Sequence, residues 1–135
     1  MQKILIVDDE LDVRDSIKCV LELAGYEVLT ADNATDALAL LGRTPMDLVI
    51  TDIIMPKMNG VQAIQSIRRE FPMIRIVAIS GGGNFGAAGY QPAAIATNAY
   101  LRSAEEAGAH VVLTKPFEVE DLLQAIETLL GVGHA

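Results

Sequence analysis

Five short aliphatic runs, each followed by an amphipathic stretch, constrain this chain more than any other feature. The runs fall at 3–7, 27–31, 48–51, 75–79 and 110–114, and each reads as a buried strand. Helical patterns follow them at 11–24, 34–41, 61–70, 93–107 and 119–130. In the first, apolar Val13, Ile17, Val20, Leu21 and Ala24 recur at helical spacing; in the third, Ile64 and Ile67 face inward. Gly25, Gly42 and Gly108 stand where helices should end, and Pro72 closes the third. The stretch 52–59, with Pro56 inside it and Gly60 after it, reads as a loop. Strands separated by helices cannot pair as hairpins, so the sheet should be parallel with helices on both faces. Right-handed crossovers then leave a doubly wound α/β sheet as the simplest solution.

At 135 residues the chain fits one such domain, and 51% hydrophobic residues supply its core. Only five residues follow the last predicted helix, so the expected domain is 1–131 with a short tail at 132–135 and no output domain. No apolar run is long enough to span a bilayer. The first run meets Asp8, Asp9 and Glu10 at once, which does not suit a secretory leader, so a cytoplasmic protein is expected. A net charge of −8 opposes contact with phosphate backbones, and neither nucleic acid nor membrane is expected as a partner. Cys19 is the only cysteine, which excludes an intrachain disulfide and fits a reducing compartment. A lone cysteine within a helix is expected to pack.

In open α/β sheets, ligands bind beyond the carboxyl ends of the strands. The first strand ends in Asp8 and Asp9, the third in Asp52, the fourth in Ser80, and the fifth in Thr114 and Lys115. A single Asp after a strand is usually a turn or cap residue. Polar groups at four strand ends on one rim point instead to a site. Carboxylates at close range repel unless a cation neutralises them, and oxygen donors at an exposed rim suit Mg²⁺. The charges of the three Asp, Mg²⁺ and Lys115 sum to zero, so the site could accept a phosphoryl dianion. Phosphoryl transfer asks for in-line placement and neutralised equatorial oxygens. Asp52 is placed to be the nucleophile, with Mg²⁺ and Lys115 bonding two of those oxygens and the Ser80 hydroxyl free to donate to a third.

Three strings carry a resemblance: Ile4-Leu5-Ile6-Val7-Asp8-Asp9-Glu10, then Asp52-Ile53-Ile54-Met55-Pro56-Lys57-Met58-Asn59-Gly60, then Ser80 followed by Lys115-Pro116-Phe117. In that order, and over the whole chain, the sequence resembles the receiver domain of two-component response regulators. The resemblance implies a flavodoxin-like five-stranded sheet in the order 2-1-3-4-5. It implies that Asp9, Asp52 and the main-chain carbonyl of Ile54 ligate Mg²⁺ directly and that Asp8 acts through water. It implies a cis Lys115–Pro116 bond. The phosphodonor would be a phosphohistidine on a sensor histidine kinase or a histidine phosphotransfer protein. Its helix would dock on the exposed flank of the first helix, at Leu11, Arg14, Asp15 and Lys18, beside Pro116 and Phe117. Such a domain assists only its own phosphorylation and dephosphorylation, so no enzyme is expected. Signalling to an unidentified protein would pass through 80–107 and the last strand–helix face.

The sequence departs from that family in places. The segment between Ser80 and Lys115 is longer than usual. Val112 stands where an aromatic is common. Ile54 and Gly82 occupy positions at which polar side chains often hold the hydrolytic water in relatives. A Mg²⁺-dependent phosphohydrolase with an aspartyl-phosphate intermediate is an alternative, but it usually needs a carboxylate two residues after the nucleophile, where Ile54 stands. A phosphorylation-independent interaction module is another, but its expected signature, a lost Asp or Lys, is missing. Gly81-x-Gly83-x-x-Gly86 matches the dinucleotide fingerprint literally, yet it follows the fourth strand, and Glu105 and Glu106 lie in a predicted helix. These glycines read as a loop over the pocket that phosphorylation would order, moving the helix at 93–107. His110 has no His or Cys near it in sequence and reads as structural.

Overall fold

Residues alternate between two faces along every strand, and here both faces are covered. The structure is a computed structural model that describes residues 2–52, 54–55, 58–80, 106–114 and 118–130. Its strands are β1 (Lys3–Val7), β2 (Glu27–Ala31), β3 (Leu48–Asp52), β4 (Arg75–Ser80) and β5 (Val111–Thr114). Its helices are α1 (Leu11–Leu23), α2 (Ala34–Arg43), α3 (Gly60–Glu70) and α4 (Val119–Leu130). All five strands are parallel in the order β2-β1-β3-β4-β5, as expected. Ile4 lies opposite Val28 on one side and Leu48 on the other.

On one face Leu5, Val7, Val49, Ile76 and Ala78 pack with Ala37 and Leu41 of α2 and with Ile64 and Ile67 of α3. On the other face Ile4, Ile6, Leu48, Ile50, Val77 and Ile79 pack with Ile17 and Leu21 of α1 and with Leu122 and Ile126 of α4. Each layer closes the strands from one side, which is why the aliphatic runs are continuous rather than alternating.

Helix ends follow local chemistry. Gly25 adopts φ +102, its N–H donates to the Glu22 carbonyl, and the Tyr26 N–H donates to Leu21. This paired closure uses the left-handed conformation that glycine adopts without strain. Gly42, expected to end α2, lies inside it instead. The helix stops at Thr44, whose extended backbone (φ −128, ψ 121) is what a residue before proline, here Pro45, must adopt. The Asn33 side chain caps the start of α2 by accepting the Asp36 N–H at 2.8 Å.

The stretch read as a loop after Asp52 contains a short antiparallel ladder, with Ile54 opposite Asn59 and Met55 opposite Met58. Cys19, expected to pack, is exposed. The Gly-rich segment after Ser80 and the first part of the helix expected at 93–107 lie outside the described residues, as do Lys115, Pro116 and Phe117. Among the described residues, no helix is long and apolar enough to cross a membrane.

Candidate functional site

The chain leaves β1 for β2 on one side and returns to β3 on the other. This reversal opens a crevice beyond the carboxyl ends of β1 and β3. Asp52 ends β3 and Asp8 follows β1, and they are only 5% and 3% exposed. Strand register brings them together. Ile4 pairs with Leu48, so four residues further on Asp8 stands beside Asp52, and both continue the alternation that turns Ile4, Ile6, Leu48 and Ile50 to the α1/α4 face.

Backbone contacts hold the turn after β1. The Asp8 N–H donates to the Ala31 carbonyl at 3.1 Å, and the Glu10 N–H donates to Asp8 Oδ1 at 2.9 Å. Arg14 reaches back from α1, and its Nη1 donates to the Asp8 carbonyl at 3.0 Å. Thr51 is fully buried, and its hydroxyl donates to the Asp52 carbonyl at 3.1 Å. The chain bends at Asp9, and this turn, closed by the Asp8–Glu10 bond, carries the Glu10 carboxylate back toward Asp8 before α1 begins at Leu11. Carboxylate oxygens of Asp8, Glu10 and Asp52 all lie within 4.8 Å of one another. Carboxylate oxygens gathered this closely could hold a small divalent cation such as Mg²⁺, with water completing its shell.

Asp9, expected as a direct metal ligand, is exposed and stands outside this group of three, while Glu10, not singled out from the sequence, stands in it. The signal that could have found Glu10 is its place in a turn two residues after an Asp that follows a strand, where the Asp side chain accepts its N–H. Ile54, expected to offer its carbonyl, lies two residues past Asp52 in the short ladder. Ser80 ends β4 and pairs in register with Thr114, the last residue of β5, while Asp52 pairs with Ile79. The ends of β4 and β5 therefore reach the rim at Asp52, and Lys115 is the next residue after Thr114. On the expected docking flank, Leu11 is 58% exposed and Asp15 is exposed, but Arg14 and Lys18 are half-buried. Val112 is half-buried against the α2/α3 core.

The family model described as the response regulator receiver domain matches residues 4–127. The response regulator receiver protein CpdR of Brucella abortus (strain 2308) is 35% identical over 130 residues, covering 96% of this chain and 98% of that protein. The probable transcriptional regulator ycf27 of Cyanophora paradoxa is 31% identical over 131 residues, covering 96% of this chain but 48% of its own length. The chain thus spans about half of that regulator and nearly all of CpdR. A crystal structure of a CheY-like response regulator receiver domain protein from Methanospirillum hungatei JF-1 superposes with a TM-score of 0.79 at 28% identity, covering 97% of this chain and 94% of that one.

Proposed function

The chain belongs to the response regulator receiver domain family, and we propose that Asp52 is its phosphoacceptor, charged from a phosphohistidine on a sensor histidine kinase or a histidine phosphotransfer protein. The observation that carries this reading is the buried Asp52 at the end of β3, within 4.8 Å of the Asp8 and Glu10 carboxylates. A carboxylate oxygen of Asp52 attacks phosphorus. The new P–O bond forms as the P–N bond to the donor imidazole breaks, and the leaving nitrogen keeps the electron pair.

The protein's part is placement and charge neutralisation. Asp8, Glu10 and Asp52 have the donors to hold Mg²⁺, with Asp9 and the Ile54 carbonyl as further candidates. When bound, the cation offsets negative charge on the phosphoryl oxygens. Lys115 pairs with one of those oxygens, and the Ser80 hydroxyl donates to another. The donor docks along α1 at Leu11 and Asp15, beside Pro116 and Phe117, with Arg14 and Lys18 contributing their outer ends. Phosphorylation alters 80–107 and the β5–α4 face, and a partner protein in the cytoplasm reads the change.

Incubation with acetyl phosphate and Mg²⁺ should add one phosphoryl group by intact-mass spectrometry, and Asp52→Asn should abolish it. Unchanged labelling of Asp52→Asn would place the nucleophile elsewhere. A phosphotransfer profile against candidate kinases would then identify the donor.

A further inference from the structure

The base of β5, at the opposite end of the sheet from Asp52, is tied down by a side chain. Ile76 is fully buried on β4. Its neighbour Arg75 donates its N–H toward the β3 side, to the Asp47 carbonyl, so the Ile76 amide faces β5. There His110 makes two bonds to the one residue. Its N–H donates to the Ile76 carbonyl at 2.8 Å, and its imidazole Nδ1 accepts the Ile76 N–H at 3.1 Å. The ring thus takes the place that a main-chain carbonyl would fill in a longer ladder.

A turn at Gly108 brings the ring back onto β4. Gly108 has φ +128, and a Cβ there would run into the aliphatic stem of Arg68. A ring that accepts at Nδ1 carries its proton on Nε2, and imidazolium has donors only, so protonation destroys the bond. The charges acting on the ring, among the described residues, are Arg68 of α3 and Arg75 of β4, both cations. The residue is exposed overall, but the Nδ1 edge is turned into the sheet. Burial of that edge first, and then the two guanidinium groups, hold the His110 pKa below its ordinary value.

We infer that His110 is a pH-sensitive latch and a positioning residue. Its neutral ring fixes the base of β5 to β4, and protonation loosens the edge strand whose other end, Thr114, stands at the acidic rim opposite Ser80. The strand is four residues long, so few contacts lie between the latch and the rim.

Amide exchange tests the latch in the intact protein. His110→Asn keeps a side-chain acceptor but does not titrate, and His110→Leu has no acceptor. Between about pH 8 and about pH 5, wild type should lose about tenfold or more of the protection at Ile76 and across Val111–Thr114, relative to the Asn variant at each pH. The Leu variant should be poorly protected throughout. Parallel wild-type and Asn profiles would overturn the inference, as would full protection in the Leu variant. Should the Leu variant fail to fold, the wild-type and Asn comparison decides. A second arm measures the rate at which acetyl phosphate labels Asp52, again as a ratio to His110→Asn. The ratio should fall on acidification, and a constant ratio would overturn the positioning role. Only this arm rests on the phosphoacceptor reading. Absent labelling in both proteins would refute that reading while amide exchange still decides the latch.

Discussion

Replacing Asp8 by Asn should stabilise the protein when no divalent cation is present. The substitution is nearly isosteric, and Asn Oδ1 can still accept the Glu10 N–H that Asp8 accepts at 2.9 Å. What disappears is one of two buried negative charges whose oxygens are within 4.8 Å. At 4.8 Å, the upper limit of that separation, and at an effective dielectric constant of ~20, Coulomb's law gives about 3.5 kcal/mol of repulsion. The site opens to solvent on the Glu10 side, so a gain of about 1–3 kcal/mol is expected. For a domain of this size, that raises Tm by about 4 °C or more.

The assay is thermal unfolding followed by circular dichroism, first with excess EDTA and then with MgCl₂. Mg²⁺ bound only by the folded state should raise the wild-type Tm by mass action. Asp8→Asn has lost a donor and should respond less, so the two curves should converge. A lower Tm for Asp8→Asn in EDTA would refute the reasoning. It would mean that the Asp8 charge is held by an attraction stronger than its repulsion from Asp52.

Two further outcomes are expected. Gly108→Ala should cost about 1–3 kcal/mol in urea unfolding, because its φ of +128 disfavours any side chain and Arg68 occupies the space; an unchanged midpoint would show that the turn relaxes freely. Stability should also fall on acidification through His110. Its folded-state pKa lies below the usual 6.5, so the unfolded chain takes up the proton first; the contribution is complete above pH 6.5 and is lost as pH falls through the folded-state value. The urea midpoint of wild type should therefore drop relative to that of His110→Asn in this window, and equal slopes would remove His110 as the cause.

Much of the fold was legible because two different physical signals agreed. Unbroken aliphatic runs can be buried only on both faces, and the helical stripes between them supply what covers those faces. α4 matches its expected bounds at Val119–Leu130, and the pair Ile64 and Ile67 is fully buried as read. Local competition between signals produced the errors. Gly42 looked like a stop, but the restriction that Pro45 places on Thr44 acts two residues later and wins. The residue type of Cys19 favours packing, whereas its position, midway between Ile17 and Leu21 on the stripe, turns it outward. The ladder at 54–55 and 58–59 has too few residues per strand for any period to show.

The acidic site shows where such reading runs out, and why. Residue types at strand ends announced that Asp8, Asp9 and Asp52 gather on one rim, but a site depends on which of them share a face. Face is normally read from alternation of apolar and polar residues. β1 and β3 are buried on both sides, so Ile4-Leu5-Ile6-Val7 and Leu48-Val49-Ile50 carry no such alternation. Only the register, Ile4 against Leu48, shows that positions 8 and 52 are neighbours. Beyond Asp8 parity no longer applies, because the chain bends at Asp9 and the Glu10 N–H bonds back to Asp8 Oδ1. The doublet Asp8-Asp9 attracts attention as a motif. The turn instead brings the Glu10 carboxylate within 4.8 Å of those of Asp8 and Asp52.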